Sequence, residues 1–168
     1  MSERLGIMGG TFDPIHNGHL FAAECARQAY RLDRVHFVTA ARPPHKEEAR
    51  LTPAAHRHAM VILATASNPF FHPSDVELVR PGPSYTVDTI AAFQMRYPEA
   101  ELYFITGADA LYDFLSWHDV EAILMASHVV AVARPGYPPE RLDHVRYSLA
   151  PVVRPRIHYL EVPALNIS

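Results

Sequence analysis

The sequence predicts an α/β protein whose mainly parallel sheet is covered by helices on both faces. Short runs of branched and aromatic apolar residues alternate with Ala- and Leu-rich stretches of helical period, and this alternation implies right-handed crossovers between parallel strands. The length of 168 residues, with 49% apolar and 20% charged residues, suits one folded domain with a sizeable core. A loop rich in glycine and histidine sits at the first strand-to-helix junction, where sheets of this class gather their ligands.

Leu5-Gly6-Ile7-Met8 reads as a short buried strand, and Leu20 to Tyr30 as a helix of Ala and long side chains. Arg34 to Thr39 reads as the second strand. Pro53 to Ala66 reads as a helix with proline in its first turn and Thr52 as its candidate N-cap. Val76, Leu78 and Val79 point to a further short strand or extended piece, and Thr86 to Tyr97 to a helix stopped by Pro98. Glu101 to Thr106 forms the next strand. Asp119 to Ala126 is a helical stretch, followed by strands His128 to Ala133 and Ile157 to Val162. Arg80-Pro81-Gly82-Pro83 and Arg134-Pro135-Gly136-Tyr137 read as turns after apolar segments. Pro135 to Arg141 and Val145 to Pro155 are the least regular regions.

Between the first strand and helix lies Gly9-Gly10-Thr11-Phe12-Asp13-Pro14-Ile15-His16-Asn17-Gly18-His19. Adjacent glycines allow a ligand close to the backbone, and the helix that follows aims the positive end of its dipole at the same spot, so the loop suits an anion. With a helix starting near Asn17, His16 and His19 share one side of its first turn and can grip one phosphate chain. The spacing matches neither the G-x-G-x-x-G dinucleotide fingerprint nor the G-x-x-x-x-G-K nucleotide loop. A plain tight turn at Gly9-Gly10 is one alternative. An HxxH metal site with Asp13 is another, but no Cys or Glu stands nearby in sequence to complete it.

The run GGTFDPIHNGH resembles the signature of the His-x-Gly-His nucleotidyltransferases, in the form carried by the bacterial nicotinate mononucleotide adenylyltransferases. The resemblance covers most of the chain and implies a Rossmann-like nucleotidyltransferase fold. It implies adenylyl transfer from ATP, accompanied by Mg²⁺, to nicotinate mononucleotide, giving deamido-NAD and pyrophosphate in NAD biosynthesis. In that reading His16 and His19 hold and neutralise the ATP phosphates, and Gly9, Gly10, Thr11, Phe12 and Gly18 shape the phosphate site. Lys46 is the only lysine among fifteen basic residues and follows Arg42-Pro43-Pro44-His45, where consecutive prolines stiffen the chain. The family's Pro-Pro-His-Lys segment makes Lys46 a ligand of the β and γ phosphates, where a compact charge on a flexible stem suits a triphosphate.

The acceptor site is expected around Ser84-Tyr85-Thr86 and Trp117, the only tryptophan. An indole face can stack on a cationic pyridinium ring, with core packing as its alternative. By resemblance, Thr86 and His118 supply backbone donors to the nicotinate carboxylate. Tyr is usual where His118 stands, so only its backbone role carries over. Gly107 and Asp109 follow a strand and face ATP, with Asp109 placed to accept from ribose hydroxyls or to cap a helix. Arg134 is assigned to the mononucleotide, while Arg57 is left unassigned. His36, His56, His58, His72 and His144 are read as ordinary surface or core histidines.

The family's C-terminal Ser-Ser-Thr-x-x-Arg segment would begin where the sequence reads Leu165-Asn166-Ile167-Ser168, and only Ser168 matches it. Residues 1–168 are therefore expected to be one domain short of that helical segment, either because the sequence is a truncated piece or because this is a shortened variant; a protein that truly ends at Ser168 is expected to bind ATP weakly and turn over poorly. A net charge of -3 speaks against general affinity for nucleic acid or anionic membrane. The single Cys25 excludes an internal disulfide, and neither a signal peptide nor a span-length apolar run is seen, so a cytoplasmic protein is expected, with room for a homo-oligomer. Rival readings are a related adenylyl- or cytidylyltransferase with another acceptor, such as phosphopantetheine, a catalytically silent nucleotide-binding module, and a metal hydrolase.

Overall fold

A computed structural model describes residues 2–43 and 47–164. Six strands, β1 (Arg4–Gly10), β2 (Arg34–Thr39), β3 (Phe71–Ser74), β4 (Glu101–Gly107), β5 (His128–Ala133) and β6 (Ile157–Glu161), form one sheet in the order β3-β2-β1-β4-β5-β6. Every neighbouring pair is parallel. The chain thus winds outward twice from the centre, and strand order reverses between β1 and β4.

Alternation along the strands sends side chains to two cores, one on each face. Met8, Phe37, Tyr103, Ile105 and Val130 meet Ala23 and Ala26 of α1 (Asn17–Ala29) and Val61 of α2 (Ala54–Thr65). On the opposite face Leu5, Ile7, Leu102, Phe104 and Val129 pack with α3 (Thr86–Arg96), α4 (Val120–Ala126) and α5 (Glu140–Tyr147). A 3-10 helix, Ala108–Ser116, leaves the end of β4 and buries Leu111 and Phe114 in this second core.

Four expectations change. The third strand is Phe71–Ser74, not the apolar group at Val76 to Val79; that stretch turns back on itself, with Leu78 and Val79 both donating to the Asp75 carbonyl. Helix α5 bridges the two stretches read as least regular, overlapping the end of one and the start of the other, because Leu142 and Val145 alone anchor an otherwise polar segment. Thr52 does not cap α2: Pro53 holds the cap position with no side-chain cap bond, and the Thr52 amide donates instead to Asp13 Oδ2 at 3.0 Å. Gly9 and Gly10 lie inside β1, paired with Val38 and Thr39, not in a turn. Their lack of a side chain serves packing: a Cβ on Gly10 would meet the Phe12 ring at 2.9 Å, and one on Gly9 the Phe104 ring at 3.2 Å.

The outer strand β3 carries Pro73. The Val35 amide donates to the Phe70 carbonyl at 2.8 Å, and alternation from that bond turns the Pro73 nitrogen to the open edge, where a missing N–H costs no ladder bond.

Candidate active site

The carboxyl ends of β1, β4 and β5 converge on a cavity of about 290 Å³ that opens at the reversal of strand order. Gly9, His16, Gly18, His19, Gly107 and Arg134 all line it. This is the crevice where an open parallel sheet holds its ligands.

The chain enters the site through Phe12, which takes a left-handed backbone with φ of 51° and still buries its ring. Such a conformation costs a residue with a Cβ of order 1 kcal/mol or more. The ring compensates by filling the space against Gly10 and Phe37 and standing edge-on to the His19 imidazole, with centroids 5.2 Å apart.

His16 and His19 cap α1 reciprocally. His16 Nδ1 accepts from the Gly18 amide at 3.1 Å, and His19 Nδ1 accepts from the His16 amide at 3.1 Å. The rings stack 3.8 Å apart with an interplanar angle of 26°. A capping box normally joins Ser or Thr to Glu or Gln; here two imidazoles do the same work. Because both Nδ1 atoms accept, a neutral ring at either position carries its proton on Nε2 and presents an N–H donor away from the cap. Burial, followed by the charge of His16, pushes the His19 imidazole down from 6.5 to about 4, so His19 is neutral near pH 7. Gly18 makes room for the pair, since a Cβ there would lie 2.9 Å from His16 Cε1 and Nδ1.

Sequence reasoning left Arg57 unassigned, yet it is 1% exposed and among the largest fully buried side chains. Its guanidinium donates to the carbonyls of Thr52 at 2.7 Å, Thr11 at 2.8 Å, Ala40 at 2.6 Å and Ala41 at 3.4 Å. One planar fork thereby joins the loop after β1 to the loop after β2. The available signal was spacing: Arg57, Val61 and Thr65 form the buried stripe of α2.

The expected acceptor residues form a second group. Thr86 opens α3, and Trp117 ends the 3-10 helix, half-buried against Phe104 and Phe114. The His118 ring stacks on Tyr85 with centroids 4.8 Å apart, which brings the two predicted acceptor segments together. Trp117 stands edge-on to Phe104 and Phe114 beside that group and is only partly buried. Asp109 is exposed in the first turn of the 3-10 helix, whose cap residue is Gly107 with no side-chain bond, so the capping role does not hold. Arg134, expected at the mononucleotide, lines the same cavity as the two histidines. Lys46 and Ser168 lie outside the described residues. Phe21, Ala22, Thr106, Val132 and Pro163 also line the cavity and were not anticipated; Thr106 and Val132 were readable only as strand ends. Among the described residues no group of three or more His, Cys, Asp or Glu could hold a metal ion, and no helix is long and apolar enough to cross a membrane.

The sequence profile of the cytidylyltransferase-like family matches residues 7–164. A probable nicotinate-nucleotide adenylyltransferase of Moorella thermoacetica is 54% identical over 166 residues, covering 98% of this chain and 76% of the relative. A probable enzyme of the same name from Thermus thermophilus is 49% identical over 154 residues, covering 92% of this chain and 80% of the relative. Among solved structures, Plasmodium falciparum nicotinic acid mononucleotide adenylyltransferase complexed with NaAD has the same fold, with a TM-score of 0.73 at 19% identity, covering 99% of this chain and 77% of the other.

Proposed function

We propose that this chain, which belongs to the cytidylyltransferase-like family and within it to the nicotinate-nucleotide adenylyltransferases, moves the adenylyl group of ATP onto the phosphate of nicotinate mononucleotide. The observation that carries this reading is the pair of cap-locked imidazoles facing the cavity at the reversal of strand order. Residues 1–168 act as one nucleotidyltransferase domain in the cytoplasm, with ATP entering as its Mg²⁺ complex.

An oxygen of the mononucleotide phosphate attacks the α phosphorus of ATP in line. A P–O bond forms on one side while the bond from that phosphorus to the α–β bridging oxygen breaks on the other, and pyrophosphate leaves with the electron pair. The nucleophile is already anionic, so the protein needs no activated serine or cysteine, only positioning and charge stabilisation. His16 and His19 give Nε2–H donors to the departing phosphates, and the start of α1 adds its dipole. Lys46 neutralises the β and γ phosphates. Gly9, Gly10, Thr11, Phe12 and Gly18 shape the loop, while Gly107, Asp109 and Ser168 complete the ATP side. Thr86 and His118 offer backbone donors to the nicotinate carboxylate, Trp117 its ring face, and Arg134 a cation toward the mononucleotide phosphate.

The deciding experiment incubates the purified chain with MgATP and, in separate reactions, nicotinate mononucleotide, nicotinamide mononucleotide and phosphopantetheine. Pyrophosphate and dinucleotide are then quantified. The reading expects deamido-NAD and pyrophosphate in equal amounts with the nicotinate substrate. ATP binding with no pyrophosphate from any acceptor would instead identify a silent nucleotide-binding module.

A further inference from the structure

Between the acceptor segment at Thr86 and the phosphate loop at Thr11 runs a connected set of hydrogen bonds that the chemistry above does not use. Ser84, which is buried, faces Arg42 in the loop after β2: its Oγ accepts from the Arg42 amide at 3.1 Å, and its own amide donates to the Arg42 carbonyl at 3.0 Å. Arg42 follows Ala40 and Ala41, whose carbonyls are held by Arg57, and the same guanidinium holds the Thr11 carbonyl. The Ala40 amide also donates to the Gly10 carbonyl at 2.9 Å, tying the two loops directly.

On the acceptor side a second group of bonds holds the start of α3 around Glu77, a carboxylate only 7% exposed. The Thr89 hydroxyl donates to Glu77 Oε2 at 2.5 Å. Arg80 donates to Thr89 Oγ1 at 3.0 Å and to the Tyr85 carbonyl at 3.4 Å. Burial holds the Glu77 carboxyl above its usual value, against the Thr89 hydrogen bond and the charge of Arg80. Ser84 thus meets Arg42 twice, through its own amide and through its hydroxyl oxygen, two residues before Thr86. A buried hydroxyl and amide that both bond to the backbone of one distant residue transmit a displacement of the Thr86 segment to that residue.

We propose that Ser84 is a positioning residue that couples the two substrate sites, so that nicotinate mononucleotide held at the Thr86 segment fixes the loop after β2 and, through Arg57, the phosphate loop that receives ATP. This rests on the adenylyl-transfer reading and adds to it a residue that links the affinity for one substrate to the presence of the other.

Coupling is a ratio of affinities, and it is reciprocal. Calorimetric titration of an unreactive α,β-methylene ATP analogue, with and without saturating nicotinate mononucleotide, measures it in the wild type, Ser84→Ala and Ser84→Thr. The wild-type ratio is expected to fall in the range of about 5 to 150, and to drop below about 2 in Ser84→Ala. Ser84→Thr, which keeps the hydroxyl, restores it. A merely structural Ser84 would lower the melting temperature and both affinities together and leave the ratio unchanged, which would overturn the proposal. So would a wild-type ratio of one with both ligands bound. Failure of the wild type to bind nicotinate mononucleotide at all would instead remove the adenylyl-transfer reading, and the coupling with it.

Discussion

His16 and His19 each give a ring nitrogen to the backbone of the same helical turn, so the start of α1 is built from the two imidazoles whose centroids stack 3.8 Å apart above the cavity. Structure and chemistry therefore make separable demands on one pair of side chains. The cap needs only an acceptor at the position of Nδ1, whereas the phosphate role we propose for the pair needs the donor at Nε2.

Substitution should separate the two demands. Asn is a good helix cap, so His16→Asn is expected to keep the melting temperature near wild type while removing the outward donor. Loss of one preorganised donor lowers turnover by about 10²-fold or more, and His19→Ala should reach at least this value. Pyrophosphate release measured beside thermal melting checks both. A His19→Ala protein working within a few-fold of wild type would rule the donor role out.

Gly18→Ala sets helix propensity against geometry. Alanine in place of glycine in a helix is worth up to about 1 kcal/mol in favour of folding, yet the new Cβ would lie 2.9 Å from the His16 ring. The expected result is turnover lowered about tenfold or more, on the scale of a displaced catalytic group, without a gain in melting temperature. A more stable variant of normal activity would show that the His16 ring accommodates the methyl at no cost.

Stability should fall in mild acid. His19, His36 and His128 are all pushed down from 6.5 to about 4, chiefly by burial, and His158 is lowered for the same first reason. Between these values the unfolded chain binds protons that the folded imidazoles refuse, so unfolding is favoured as pH drops from about 6.5 toward 4. Above 6.5 these groups leave stability independent of pH. Melting temperatures recorded from pH 8 to pH 5 should be level at first and then decline; a level curve throughout would contradict the burial of these rings.

Replacing Arg57 by Met keeps much of the volume but leaves four part-buried carbonyls without their guanidinium donor. With each orphaned acceptor costing about 1 to 3 kcal/mol, the loss should be on the order of 3 kcal/mol or more. Urea denaturation measures it directly. Arg57→Lys retains a charge but not the fork, and is expected to recover only part of the loss.

The order of strands and helices around the first loop was legible because apolar period and turn residues agree there. Elsewhere local chemistry misled. His72 and Pro73 disguise β3, since an edge strand buries little and tolerates residues that a central strand excludes. Pro138, Pro139 and the charged sequence of α5 hide a helix held by Leu142 and Val145. Arg57 was overlooked because arginine is seldom buried, although its place on the Val61 and Thr65 stripe gave the sign. That His16 would be a cap residue had no sequence signal, as histidine is not among the preferred caps. The acceptor group emerged from resemblance, and its proximity became visible only when His118 was found stacked on Tyr85.

Pro73 also governs how this molecule behaves in a crowd. A neighbouring polypeptide seeking to extend the array beyond β3 would find a gap in the row of outward donors at the middle of a four-residue rim. That interruption discourages intermolecular cross-β growth from this border, and it explains why a residue so poor at forming ribbons occupies the outermost one.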